Sequence, residues 1–337
     1  MKQALVSVFL TCLCSAVATA GERNGVVVSI KPIHSLVAAV MSDVGTPHLI
    51  VKGSASPHTY ALKPSDAEAL EHAKTVFWVG PDLEAFLERS IDTLALNAQV
   101  VALENAHGLK KLSFREDGPF EAHEAEGDDH HDKHTEKHSD QEKETGHGHE
   151  EAKHGHEEAK HAHGMTDPHF WLDPENAKVV VHEIEEALSR SDPGNSPKYK
   201  ANAAALERRL DALSDEIAKT LAPVRERPFI VFHDGYQYFE KRFGLHAAGS
   251  ITVNPERPPG ARRISEINSK IGRLGATCVF SEPQFQPRLV KTVTEGTSAK
   301  TGVLDPVGAT LPDGPELYFT LLRNMANSMK ACLSPSS

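Results

Sequence analysis

Short apolar runs rich in β-branched residues alternate along most of this chain with amphipathic stretches of helical period. Such alternation is typical of βαβ units with parallel sheets. The runs form two sets of four, which predict strands at 25–30, 48–52, 75–79 and 99–103, then at 229–232, 247–251, 277–280 and 301–304. Helices are predicted at 33–41, 66–72, 83–94, 236–243, 262–274, 287–296 and 315–330. We therefore expect an α/β fold of two lobes, each with four βα units.

The most regular helical pattern of the chain lies between the two sets. Its apolar residues recur every three or four positions and form one stripe on a helix of more than twenty residues: Tyr199, Ala203, Leu206, Leu210, Leu213, Ile217 and Leu221. So narrow a stripe also suits a coiled-coil dimer, but three heptads are few for one. We favour a monomer in which a rigid helix over 196–222 joins a lobe at 21–195 to a lobe at 228–337, with small movement between them.

The segment 121–164 has a different composition, with no Val, Ile, Leu, Phe, Tyr or Trp. It cannot bury enough apolar surface to offset its ordering entropy, so we predict that it is disordered. We call it the acidic insert, because its fourteen Asp/Glu and five Lys give it a net charge of −9 out of −11 for the whole chain. The near-neutral remainder lacks the basic face of a nucleic-acid-binding protein.

Histidine is concentrated in the acidic insert, which holds eleven of the twenty in the chain. A tract of this composition is typical of weak, multiple metal sites, since imidazole suits zinc, nickel and copper. An expression tag or a plain solvated linker is the alternative, but a tag would not be internal or interleaved with carboxylates. The predicted weak ligands are His123, His130, His131, His134, His138, His147, His149, His154, His156, His161 and His163.

The N-terminus has the pattern of an export signal. Lys2 precedes an apolar run at 4–17, and small residues at 18–20 indicate cleavage after Ala20. The run is too short for the alternative, a membrane anchor. Cleavage leaves Cys278 and Cys332 in an oxidising compartment, where we predict a disulfide rather than two free buried thiols. It would close a loop of about 55 residues and contribute about 2–4 kcal/mol.

Three of the remaining histidines follow or adjoin predicted strands. His58 lies just past the second strand, His169 where the chain resumes after the acidic insert, and His233 at the end of the fifth strand. Ligands in open α/β sheets bind outside the carboxyl ends of the strands, and by this rule Asp305 is a fourth candidate. Three imidazoles and a carboxylate suit tetrahedral Zn²⁺. The sequence thus predicts a zinc ion between the lobes, held by two ligands from each.

The other histidines outside the acidic insert are expected to be structural or exposed: His34, His48, His72, His107, His182 and His246. A secreted zinc hydrolase is the rival function. The zinc-protease motif His-Glu-x-x-His is incomplete here, because His182-Glu183 has no second histidine at the required spacing. The hydrolase motif Gly-x-Ser-x-Gly does not occur in the sequence. Glu282, after the seventh strand, could serve as a general base, although a helix cap or a salt bridge suits it better. We expect no catalysis.

Several motifs together resemble the zinc-binding solute receptors of bacterial ABC importers, the ZnuA-like proteins. They are SASPHTYALKPSD at 54–66, VGPDLE at 79–84, HFWLDP at 169–174, FHDGY at 232–236 and LDPVG at 304–308. The resemblance spans about residues 25 to 333, and the cysteine pair and the acidic insert also fit it. It implies two doubly wound lobes joined by a rigid helix, and it carries His58, His169 and His233 over as zinc ligands.

The resemblance also bears on metal choice and function. Manganese-binding relatives place a carboxylate where His233 stands, so this sequence is similar to the zinc branch. Some zinc members have a glutamate before the first histidine, where this chain has Pro57, which leaves the fourth ligand open between Asp305 and a water. The implied function is periplasmic capture of Zn²⁺ for a membrane permease, with the acidic insert scavenging or sensing zinc. A zinc buffer or adhesin without a transporter is an alternative.

Overall fold

The structure is a computed structural model that describes residues 25–115, 120, 166–252, 259–275, 278–285 and 288–335. The predicted signal segment, 1–20, lies outside the described residues, as does the acidic insert with its eleven histidines. No helix in the described ranges has the length and apolar character needed to cross a membrane.

The first sheet has four parallel strands in the order β2-β1-β3-β4. They are β1 (Val26–Val28), β2 (His48–Leu49), β3 (Thr75–Trp78) and β4 (Gln99–Ala102). Helices α1 (Lys31–Val40), α2 (Pro64–Glu71) and α3 (Ala85–Leu94) connect them. Strands β1 and β3 are buried throughout, as expected for a parallel sheet covered on both faces.

The second sheet repeats this order as β6-β5-β7-β8, again all parallel. Its strands are β5 (Phe229–His233), β6 (Ala247–Thr252), β7 (Cys278–Ser281) and β8 (Lys300–Val303), joined by α6 (Gln237–Phe243), α7 (Ala261–Leu274) and α8 (Arg288–Thr294). Helix α9 (Leu317–Leu333) follows β8. The two-lobe α/β fold with parallel four-stranded sheets is thus confirmed.

Two further helices come between β4 and β5 in the sequence. They are α4 (Pro174–Ser191) and α5 (Ser196–Leu221). The sequence analysis did not predict α4. The sequence does contain the features that begin this helix. Asp173 is the N-cap, and its side chain accepts a hydrogen bond from the backbone N–H of Glu175. Pro174 follows at the first helical position, which proline favours. Apolar residues of α4 then pack with helical spacing, and all are buried: Ala177, Val180, Val181, Ile184, Ala187 and Leu188.

Helix α5 is the predicted joining helix, and all seven residues of the predicted stripe are buried. It contacts α1 and α4 on one side and α9 on the other. Asn202 donates to the backbone oxygens of Val40 and Ser42, while Arg209 pairs with Glu316. One helix therefore bonds to elements of both lobes, as a strut does. The exact lobe limits and the rigidity stay predictions.

Cys278 and Cys332 form the predicted disulfide, with their Cα atoms 5.9 Å apart. Cys278 begins β7 and Cys332 lies in the last turn of α9, so the bond fixes the end of α9 to the second sheet. Trp171 and Tyr318 make another long-range connection. The Trp171 Nε1–H donates to the backbone oxygen of Pro306, and the Tyr318 hydroxyl donates to the backbone oxygen of Trp171.

Candidate metal centre

Three imidazole rings meet between the sheets. Ligand atoms of His58, His169 and His233 lie within 4.8 Å of one another, and the described residues contain no other such group of three or more His, Cys, Asp or Glu. The ring centroids are separated by 5.0 Å for His169 and His233, 5.7 Å for His58 and His169, and 5.8 Å for His58 and His233. The structure thus brings together the three histidines that the sequence analysis selected.

Each ring is presented by a different local structure. His233 is the last residue of β5, at the carboxyl end of an interior strand. His58 lies in the loop between β2 and α2. His169 lies just before a short 3₁₀ turn, Phe170–Leu172, that leads into α4. The strand-end rule accounts for His233, whereas the other two depend on loops whose paths the rule does not give.

The segment that carries His169 packs against α6, in the second lobe. The hydroxyl of Tyr238 donates to the backbone oxygen of Asp167 and accepts from the N–H of Leu112. The Nε2 amide of Gln237 donates to the carboxylate of Asp167. Although His169 precedes the joining helix in sequence, α6 therefore fixes it relative to His233.

Carboxylates orient two of the three rings. Nδ1 of His169 lies 2.7 Å from Oδ1 of Asp167, and Nδ1 of His233 lies 2.6 Å from Oε1 of Glu282. Each carboxylate accepts the Nδ1 proton, which leaves Nε2 of a neutral ring with a lone pair. This is the outer arrangement of histidines that bind metals, because the carboxylate fixes both the tautomer and the ring orientation.

The two Nε2 atoms face each other at 3.2 Å. Zn–N bonds of 2.0–2.1 Å at a tetrahedral angle place two ligand nitrogens about 3.3 Å apart. Two lone pairs at that distance repel unless a cation or a proton lies between them. The observed spacing of 3.2 Å matches the value expected for two nitrogen ligands of one ion.

The electrostatic environments of the rings differ. Burial, with the neighbouring His169 and His233, holds the pKa of His58 well below its ordinary value, so this ring is neutral at neutral pH. Burial alone would also lower the pKa of His233, but the Glu282 carboxylate, with Asp167 and Asp234, raises it overall. Protons thus compete for His233 more than for His58.

Gly235 lies against the ring nitrogens. A Cβ atom at this position would stand 2.4 Å from Nε2 of His233 and 3.0 Å from Nε2 of His169, both too close for an ordinary contact. Only a glycine leaves room there for the two rings and an ion between them.

Asp305, the predicted fourth ligand, does not lie in the group of three histidines. Its Oδ1 accepts hydrogen bonds from Nε2 of Gln284 and from the backbone N–H groups of Val307 and Gly308. In this position it shapes the turn after β8. His233 is thus the one member of the group that comes from a strand of the second lobe, and the fourth ligand stays a prediction.

The six histidines that were expected to be structural or exposed all lie outside this group. His34 is buried, with Nε2 bonded to the backbone oxygen of Pro47, and His48 contacts Asp66. His72, His107, His182 and His246 are exposed.

Sequence reasoning missed the functional roles of Asp167 and Glu282. Glu282 was noted at a strand end, but as a helix cap, a salt bridge or a general base. Its position directly after β7 satisfies the strand-end rule that selected His233. Arg115 was also missed; it pairs with Asp234, next to His233, and with Glu240, and its guanidinium lies 3.8 Å from the centre of the Phe120 ring. These ion pairs fix the chain just before the acidic insert onto the second lobe.

Comparisons with known proteins agree with this geometry. The profile of a family described as "Zinc-uptake complex component A periplasmic", or ZnuA, matches residues 26–332. The high-affinity zinc uptake system protein ZnuA of Brucella suis is 58% identical over 330 residues, covering 98% of this chain and 97% of that protein. The protein of the same name from Yersinia pestis is 35% identical over 325 residues, covering 95% and 96%.

A solved structure shows the same likeness in three dimensions. A crystal structure of ZnuA aligns with a TM-score of 0.72 at 25% identity, covering 92% of this chain and 98% of that chain. The family match over residues 26–332 includes both sheets and the segments that carry the three histidines.

Proposed function

Because this chain belongs to the ZnuA family of periplasmic zinc-uptake components, we propose that it captures Zn²⁺ between its lobes and delivers it to the permease of an ABC importer. His58, His169 and His233 are the proposed ligands. Zinc is the transported cargo of the protein and takes no part in a reaction on it. The role is that of a receptor, not an enzyme.

One observation carries this proposal. The Nε2 lone pairs of His169 and His233 face each other at 3.2 Å, while carboxylates hold both Nδ1 atoms. Burial of both rings keeps water from satisfying those lone pairs. A divalent cation between them resolves the repulsion and gains a third nitrogen from His58.

We assign the fourth position of the zinc ion to a water. Asp305 is supported less well, because its Oδ1 already accepts from three donors. Exchange of a water ligand during transfer to the permease would also leave the protein ligands in place until the partner binds.

The remaining features of the proposal follow from the family and the sequence. We propose a periplasmic monomer, exported with cleavage after Ala20, that binds no nucleic acid. The histidines of the acidic insert would be weak ligands that raise the local supply of zinc. The cleft would hold the single tight site.

Zinc stoichiometry tests the division between cleft and insert. Full-length protein and a variant lacking 121–164 are titrated with zinc against a chelator of known affinity. We expect the deletion to remove the weak sites and to leave one tight ion per chain. Replacing His58, His169 and His233 together with alanine in the shortened chain should then abolish tight binding.

His246→Ala is the matched control, since that side chain is exposed and lies outside the cleft group. It should bind zinc like the parent chain. Loss of the tight ion on deletion of 121–164 alone would show that the cleft is not the tight site. Growth of a zinc-starved strain lacking its own receptor gives the transport readout, with rescue by the parent chain and none by the triple variant.

A further inference from the structure

The outer face of the second lobe has a charge opposite to that of the whole protein. Helices α7 and α8 cover one side of the second sheet and carry six Arg and Lys residues against one carboxylate, Glu266. We call these the cationic face: Arg262, Arg263, Lys270, Arg273, Arg288 and Lys291. The whole chain has a net charge of −11.

Two of these cations have described partners that satisfy their guanidinium groups. Arg262 pairs with Glu266, and Arg263 donates to the backbone oxygens of Ser250 and Ile251. For the other four, no ion pair with a carboxylate occurs within the described ranges. Burial and the charges of Arg263 and Arg273 also lower the pKa of Lys270, as expected for crowded cations.

A groove adjoins this face. It has a volume of about 560 Å³ and lies between α8 and the edge strand β8, with Val290 and Val303 among its lining residues and Arg288 and Lys291 on its α8 side. Val303 is 52% exposed. An extended, acidic stretch of chain is the kind of partner that fits a groove flanked by two cations.

The acidic insert meets both requirements of charge and reach. It carries a net −9 and starts and ends at one place, because Ser113 and Thr166 pair as an antiparallel bridge. Arg115 holds that place against Asp234 and Glu240 of the second lobe. Half of the insert, about 22 residues, spans up to roughly 70 Å when extended, whereas α7 is only about 21 Å long. Half of the insert is therefore about three times as long as the helix that carries most of the cationic face.

We propose that the zinc-free acidic insert docks on the cationic face of its own chain and that zinc releases it. Each ion bound by neutral imidazoles adds two positive charges, so four ions bring the insert from −9 to about −1. The attraction that holds it then largely disappears. The docking goes beyond the proposed function, whereas its release by zinc rests on the weak sites proposed there for the insert.

Zero-length carbodiimide cross-linking of the full chain tests the docking, because it joins a lysine amine only to a carboxylate in contact with it. Peptide mapping of the cross-linked monomer should find Lys270 and Lys291 joined to carboxylates at 121–164 in metal-free protein. The yield should fall several-fold when salt rises from about 0.01 M to about 1 M, where charges act over roughly 3 Å rather than 30 Å. Saturating the insert with zinc at low salt should produce a similar fall.

Lys200 provides the internal control for Lys291, since both side chains are exposed but Lys200 lies on α5. Its cross-links to the insert should be several-fold fewer. The double variant Arg288→Glu with Lys291→Glu should lower the remaining Lys270 cross-links, whereas Lys198→Glu with Lys200→Glu should not. Circular dichroism establishes that both variants fold.

Three results would overturn the docking: equal yields at Lys291 and Lys200, yields that ignore salt and zinc, or cross-links that join two chains instead of one. The last would identify a second copy as the occupant of the face. A single tight zinc ion in the same preparations would show that the receptor function stands even where the docking fails.

Discussion

The rings of the metal centre are held in two different ways. His169 and His233 are 4% and 3% exposed, and each gives its Nδ1 proton to a carboxylate. His58 is half-buried, and within the described residues its backbone N–H donates to Ser56 while its ring makes no hydrogen bond. Two of the three proposed ligands are therefore preorganised by ring hydrogen bonds, and the third is not. The conformational entropy lost on zinc binding should therefore come mainly from the loop of His58. Substitutions that disturb the His169–His233 pair should lower the zinc affinity most.

The largest effect is expected for Gly235→Ala, which adds one methyl group to the preorganised side. The new Cβ would stand 2.4 Å from Nε2 of His233, so both that ring and His169 must move. Zinc affinity should fall by more than the roughly 10- to 100-fold that is typical of losing an outer partner. Competition with a chelating dye in the chain lacking 121–164 measures it.

Gly260→Ala is the control for this substitution. A Cβ at Gly260 meets no atom within 4 Å, and its φ of −68° suits any residue. It should leave zinc affinity unchanged. If Gly235→Ala left the zinc affinity unaltered, the rings of His169 and His233 would have more space than the structure shows. The contrast between this preorganised pair and His58 would then not hold.

Next in size is Glu282→Gln, which keeps a hydrogen-bond acceptor but removes the charge behind His233. The affinity for zinc should fall about 10- to 100-fold. Asp167→Asn should act similarly through His169, because both carboxylates accept a ring Nδ1–H. Glu316→Gln, at an exposed carboxylate that pairs with Arg209, is the control. If calorimetry found the same zinc affinity for Glu282→Gln and Glu316→Gln, the carboxylates behind the rings would have no effect on zinc binding.

Competition between protons and zinc should also distinguish His233 from His58. Since Glu282 raises the pKa of His233, while burial lowers that of His58, acid protonates His233 first. Zinc must then displace a proton, and its affinity should fall by up to about tenfold per pH unit as the pH drops below that raised pKa. Calorimetry at about pH 7.5 and about pH 5.5 measures the decline. Glu282→Gln lowers the pKa of His233, so its decline should begin at lower pH. A pH-independent affinity would contradict this assignment.

The contrast also explains what sequence could predict. The eight strands follow from local apolar runs, and the stripe of α5 from its spacing, because each is a property of consecutive residues. His233 followed from the same reasoning, since it ends a strand. The hydrogen-bond partners of the rings could not be predicted in this way. Glu282 lies 49 residues from His233 in the sequence. It meets the His233 ring only because β5 and β7 pair side by side in the fold.

Asp305 lies outside the histidine group for a related reason. The strand-end rule places it at the correct edge of the sheet, but the direction of its carboxylate is set by the turn that it caps. Helix α4 could have been found from its proline start and apolar spacing. The position of His169 on the second lobe could not, because it rests on contacts with Gln237 and Tyr238 across about 70 residues.

The smallest effect is expected on the less ordered side, at Tyr60→Phe. The Tyr60 hydroxyl, two residues after His58, donates to Oδ2 of Asp66 at 2.9 Å and steadies the loop. Tyr199→Phe is a matched control, since that hydroxyl donates to Asp192 at 2.8 Å far from the rings. Each variant should lose about 1 kcal/mol of unfolding free energy. Only Tyr60→Phe should weaken zinc, by a few-fold, because the preorganised pair remains intact. A loss as large as that of Glu282→Gln would show that the His58 loop is as preorganised as the pair.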